Sequence, residues 1–115
     1  MTKARNANLA YRAASNHRSL RDQEADLFKR VNYSLRDASE GRKLDQVRAL
    51  ADNRRLWTTL IDLLRDPDNA LPLELKAAIL SVGHTVQREM QGHAPNFSFL
   101  IAINENIAAG LTGQA

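Results

Sequence analysis

The 115-residue chain reads as all-α, a compact bundle of four to five helices with short connections. Three observations predict this class. Apolar residues recur at steps of three and four along most of the chain, no strand-like alternation reaches a useful length, and Gly or Pro breaks fall between the periodic stretches. No internal repeat, low-complexity block or long linker divides the sequence. It is therefore expected to form a single helical domain over 1–115, with a basic N-terminal helix or flexible arm over 1–18 and a helical core over 19–111.

The elements follow in order. Residues 4–14 suit a short helix around Leu9, Tyr11 and Ala14. The first core helix is expected to start at Ser19, where Ser19 and Asp22 form an S-x-x-D start signal. It carries Leu27, Phe28, Val31, Leu35 and Ala38 and stops at Gly41. The second is expected to run from Lys43 to Arg65, with Val47, Leu50, Arg54, Trp57, Ile61 and Leu64 on one seam. At 1.5 Å per residue it would be about 33 Å long and form the spine of the domain. Asp66-Pro67-Asp68-Asn69 is a turn by composition, and Pro72 suits the first position of a third helix, where its missing N–H costs nothing. Leu75, Ile79, Val82, Val86 and Met90 line that helix, which stops near Gly92. Gly83 inside it points to close approach of a neighbouring helix, since glycine there costs about 1 kcal/mol relative to alanine. Asn96 then caps a last helix with Phe97, Leu100, Ile101, Asn104, Ile107 and Ala108 on one side, ended by Gly110.

Composition narrows the function. Hydrophobic residues at 43% and charged residues at 25% are ordinary for a globular protein. The longest apolar run, Leu100 to Ile103, is far short of the roughly 20 residues that span a bilayer, so no membrane partner is expected. With no cysteine there is no disulfide framework and no thiolate metal site. The N-terminal stretch lacks the apolar core of a secretory signal; Lys3, Arg5, Arg12, Arg18 and Arg21 before the first acid resemble a mitochondrial presequence if the source is eukaryotic, and in a bacterium are simply a basic N-terminal helix or tail. Charge is uneven along the chain. Up to Thr58 there are thirteen Lys/Arg against seven acids, and beyond it three against six. A basic half fits either a solvated helix face or an acidic partner, RNA among them, yet aromatics at 5% supply no stacking platform for single strands.

Catalytic and metal chemistry find no foothold. His17, His84 and His93 match no metal-ligand spacing. Ser81, His84 and Glu89 lie around one helix and do not converge on a common atom. There is no phosphate-cradling glycine loop, and Asp66 and Asp68 are explained by their turn. The third and fourth helices carry only Lys76 and Arg88 as cations, too few for a DNA-reading helix. The expectation is a non-enzymatic binding protein without cofactor or metal.

One pair of neighbours in the second helix calls for different roles. At 100° per residue Arg54 falls on the apolar seam and Arg55 off it. A guanidinium buried on a seam must be paired. Glu24, on the apolar stripe of the preceding helix, is its expected partner in a structural ion pair, with Trp57 beside the guanidinium and Arg55 left for solvent or a partner.

Asn53-Arg54-Arg55-Leu56-Trp57-Thr58, then Asp68-Asn69-Ala70-Leu71-Pro72, then Ile103-Asn104-Glu105-Asn106-Ile107 with Gly110-Leu111, resemble the FlaF family of flagellar biosynthesis regulators of α-proteobacteria, in order and spacing, from about Tyr11 to Leu111. Asn53, Trp57, Asn69, Pro72, Asn104 and Gly110 carry the resemblance as helix-packing signatures. The sequence departs from the family pattern at Ala108, where a larger apolar residue such as methionine is expected. The resemblance implies a cytoplasmic bacterial protein that binds flagellin as a secretion chaperone or adaptor and acts with the regulator FlbT, without enzyme activity or cofactor. Direct binding of flagellin messenger RNA through the basic half, or a scaffold for FlbT alone, are the alternatives. For a flagellin-binding groove the candidate residues are Phe97, Phe99, Leu100, Ile103 and Ile107, because Phe99 and Ile103 lie on the opposite side of the last helix from Phe97, Ile101 and Asn104. An N-terminal helix covering Phe99 and Ile103 is the competing expectation. Arg12, with Arg18 and Arg21, would steer an acidic partner.

Overall fold

The computed structural model describes residues 25–111 and places four helices there: α1 over 25–38, α2 Lys43–Arg65, α3 Leu73–Gln91 and α4 Phe97–Leu111. No strand occurs among the described residues. The expected helix over 4–14 and the start signal at Ser19 lie outside them.

Short polar turns join the helices, and each is explained by where its backbone hydrogen bonds go. After α1 the Ser39 hydroxyl and the Gly41 N–H donate to the carbonyls of Arg36 and Ala38. The Gln46 side chain reaches back to the Ser39 carbonyl, fixing the entry to α2, where Asp45 in the first turn complements the helix dipole. Asn69 organises the turn between α2 and α3. Its amide donates to the Leu63 carbonyl at 3.0 Å, its side-chain oxygen accepts the Leu71 N–H at 3.0 Å, and its own carbonyl accepts the Lys76 ammonium at 2.6 Å. Pro72 sits one position earlier than expected. It is the N-cap, with extended ψ of 142°, and its carbonyl accepts the first helical bond from Lys76. Asn96 caps α4 as expected, accepting the Phe99 N–H at 3.1 Å. Gly110 does not end α4: it is exposed within the helix, and Leu111, buried one step on, draws the helix past it.

The spine is α2, which buries Ala49, Asn53, Leu56, Trp57, Leu60, Ile61 and Leu64. Trp57 is fully buried, with Phe28 of α1 edge-on to its ring at a centroid distance of 6.0 Å and an interplanar angle of 88°. On the other side of the spine Gly83 brings α3 close. A Cβ there would stand 3.1 Å from Ile61 Cδ1 and 3.4 Å from Trp57 Cε3.

One polar cluster fixes how the helices meet. Asn32 of α1, Asn53 of α2 and Asn104 of α4 are all buried. An indole N–H can only donate, so Trp57 Nε1 takes Asn104 Oδ1, at 2.8 Å. That turns Asn104 Nδ2 toward the oxygens of Asn32 at 3.0 Å and Asn53 at 2.7 Å. Their amide nitrogens in turn donate to the Ile101 carbonyl at 3.1 Å and to the Met90 sulfur of α3 at 3.2 Å. Among the described residues no buried side-chain nitrogen or oxygen lacks a partner. All four helices thus contribute to one satisfied network.

Two outcomes test this packing. Asn104→Leu orphans the indole N–H and two amide oxygens, so it is expected to cost at least about 3 kcal/mol, more than Asn32→Leu or Asn53→Leu, in urea unfolding. An Asn104 variant milder than both would contradict the network's hierarchy. Gly83→Ala should change stability by under about 1 kcal/mol, because helix propensity offsets a contact that the tip of Ile61 can relieve. Gly83→Leu should lower stability by more than about 2 kcal/mol, a difference read as a clear separation of melting temperatures.

Candidate functional site

The network and the Asn96 cap together set the rotation of α4. Leu100, Asn104, Ala108 and Leu111 point inward. One flank turns to α1, where the Ile101 carbonyl accepts from Asn32 and Glu105 pairs with Arg36. The other flank holds Phe99, Ile103 and Ile107. Phe99 is 36% exposed, while Ile103 and Ile107 are half-buried against the core. Exposed Ala102 and Asn106 border this strip. Carrying apolar side chains on both flanks, α4 has more greasy surface than its core contact requires.

The expected binding residues therefore divide. Phe99, Ile103 and Ile107 share the outer flank, and Phe97 is half-buried at the head of the helix. Leu100 is fully buried and belongs to the core, so it is unavailable to a partner while the bundle stays closed. Arg55 is exposed, as expected. Arg12 and Glu24 lie outside the described residues.

Arg54 is the main correction. Its side chain is exposed, it forms no ion pair among the described residues, and the Trp57 indole meets Phe28 and Asn104 instead. The buried arc of α2 is rotated toward Ala49, Asn53, Leu56 and Leu60, and Val47 is exposed with Arg54. The physical reason is that α2 packs on two sides, so a small alanine and a buried amide belong to its core face where a purely apolar tally favours Val47. Asn53, next to Arg54 in sequence, makes the polar contact that crosses helices.

Sequence reasoning also passed over Asn32, though its signal was present: it lies four residues after Phe28 and three before Leu35, both buried. It likewise passed over a groove of about 320 Å³ between α1 and α2. Leu27, Arg30, Val31 and Ser34 line one wall and Asp52, Arg55, Leu56 and Thr59 the other. Lys29, Arg30, Lys43, Arg48, Arg54 and Arg55 of these two helices are exposed, and none has an ion pair among the described residues. No group of three His, Cys, Asp or Glu able to hold a metal occurs among the described residues, and no described helix is long and apolar enough to cross a membrane.

The family model described as "Flagellar protein FlaF" matches residues 7–111, nearly the whole chain. No curated protein and no solved structure is significantly similar to it.

The corrected place of Arg54 has a direct consequence. Arg54→Ala should change stability by under about 0.5 kcal/mol, as for an ordinary surface position, and should show no coupling to Glu24→Ala in a double-mutant cycle. A loss of 2 kcal/mol or more would restore the buried ion pair.

Proposed function

The chain belongs to the FlaF family of flagellar proteins, and we propose that it is a non-enzymatic regulator of flagellum biogenesis that binds flagellin as a cytoplasmic secretion chaperone or adaptor and acts with an FlbT-like regulator. One observation carries the reading: the outer flank of α4 keeps Phe99 exposed beside the half-buried Ile103 and Ile107, on a helix that already buries Leu100, Asn104, Ala108 and Leu111. Segments that assemble as helices in a filament must be kept apart before export. A strip of apolar side chains two turns long offers such a segment a helix-in-groove seat. The cations of α1 and α2 would raise the association rate with an acidic partner.

The same cations favour a second reading, binding of flagellin messenger RNA. On α1 and α2, however, Phe28 and Trp57 are buried, leaving Tyr33 as the exposed aromatic for base stacking. Co-purification from cells with and without nuclease separates the two, since RNA-mediated association disappears on digestion and weakens steeply with salt.

For the chaperone reading, Phe99→Asp should weaken flagellin capture at least tenfold with the helical melt unchanged, whereas Phe99→Leu should retain it. Capture unaffected by Phe99→Asp would refute this surface.

A further inference from the structure

The face of α4 that the bundle buries is not its most apolar one. Plotted at about 100° per residue, Phe99, Leu100, Ile103, Ile107 and Leu111 fall within an arc of about 120° and form an unbroken apolar stripe. The buried face, Leu100, Asn104, Ala108 and Leu111, is centred roughly 70° away from the middle of that stripe. Asn104 is fully buried, whereas Phe99 is 36% exposed and Ile103 and Ile107 are half-buried. Hydrophobic burial alone would roll the helix toward the stripe, because it is proportional to the apolar area removed from water.

Polar contacts oppose that roll, and they are directional. Asn104 Oδ1 accepts the Trp57 indole N–H at 2.8 Å, and Asn104 Nδ2 donates to the side-chain oxygens of Asn32 at 3.0 Å and Asn53 at 2.7 Å. Trp57, Asn32 and Asn53 are themselves buried, so a rolled α4 would strand their polar atoms where water does not reach. The donor-only indole meets its acceptor at one rotation of α4. We propose that Asn104 is a positioning residue for the apolar strip of α4: its side chain fixes the rotation that keeps Phe99 and Ile103 turned outward, and without it the helix rolls to bury them. This role rests on the reading of that strip as the seat for a flagellin helix. The roll has a signature of opposite sign on the two flanks. Ile103 moves toward the centre of the buried face, while Ile101, half-buried on the flank next to α1, moves out. Lost stability alone does not do this, since a loosened bundle exposes both flanks together.

Because the chain has no cysteine, a single engineered thiol reports its own position. Ile101→Cys and Ile103→Cys are made separately in the full chain, and their alkylation by N-ethylmaleimide is followed by mass with and without Asn104→Leu. With Asn104→Leu the rate at Ile101→Cys is expected to rise at least about threefold and the rate at Ile103→Cys to fall by as much. Leu60→Ala, which opens a core cavity outside the network, is the control for lowered stability and should move both rates the same way or neither. Flagellin capture should weaken at least tenfold with Asn104→Leu and hold with Leu60→Ala. If Asn104→Leu melts without cooperativity, Trp57→Phe is added to remove the orphaned indole donor and the same rates are read. Rates that rise together, rates that do not change, or a cooperative melt missing from both backgrounds overturns the proposal, as does capture that survives an exchange of the two flanks. Phe99→Asp separates the two readings. Capture indifferent to Phe99→Asp removes the strip as the docking face and with it this role in binding, while the alkylation rates, which involve no partner, judge the rotation by themselves.

Discussion

A donor-only group in the middle of the core sets the terms for everything around it. The Trp57 indole N–H, buried on the spine, needs an acceptor, and the Asn104 side-chain oxygen is the one supplied. From that contact the orientations of three amides follow in sequence, because each oxygen already committed leaves its nitrogen as the remaining donor. The chain of bonds ends on a backbone carbonyl of α4 and a thioether of α3. Slide α4 by one residue or roll it by a quarter turn and several buried polar groups lose partners at once, each at about 1–3 kcal/mol. Dispersion and apolar burial hold the bundle together; the amides decide which bundle it is.

That division of labour shapes the surface. With the inward face of α4 assigned to Leu100, Asn104, Ala108 and Leu111, and one flank tied to α1 through Ile101 and Glu105, the remaining flank is left for Phe99, Ile103 and Ile107. The exposed Arg36–Glu105 pair adds little energy of its own. Its position is informative all the same, since it lies on the side of α4 opposite the strip. Between α1 and α2 lies a second surface, a groove where Arg30, Asp52 and Arg55 stand exposed above the buried Val31 and Leu56. Both surfaces sit on long helices and not on loops, which keeps their side chains at fixed spacing.

Much of the fold was legible because helical periodicity is a strong signal. The bounds of α2, the cap at Asn96, the turn around Asn69 and the close approach at Gly83 all stand where sequence logic puts them. What escaped was rotation about the helix axis. Val47, Arg54 and Ile61 look like one seam to a hydrophobicity count, yet a helix packed on two sides has a wide buried arc, and its centre depends on neighbours that a single-helix projection does not contain. Asn53 and Asn104 were recognised as signature residues without their mutual contact, and Asn32 was passed over, because a polar residue on an apolar stripe reads as noise until its partner on another helix is known. Gly110 was misread for a related reason: the local preference to stop yields to the burial of Leu111 one residue later. Leu100 and Phe99 are adjacent in sequence and equivalent in composition, and only the three-dimensional rotation of α4 tells the core residue from the surface one.

The use of amides in place of more leucine has a reason that connects packing with binding. Phe97, Phe99, Leu100, Ile101, Ile103, Ile107 and Leu111 point to so many sides of α4 that burial alone discriminates poorly between rotations of the helix. A bundle held by such a helix through apolar contact alone would gain by rolling it to bury the strip, removing the surface a partner needs. Asn104 blocks that roll, because turning Phe99 inward would carry its amide away from Trp57, Asn32 and Asn53 together. Buried polar groups commonly cost stability relative to an apolar replacement while restricting the number of competing arrangements. In this fold the restriction is what keeps apolar side chains on the outside of a protein whose own core would otherwise be a better place for them.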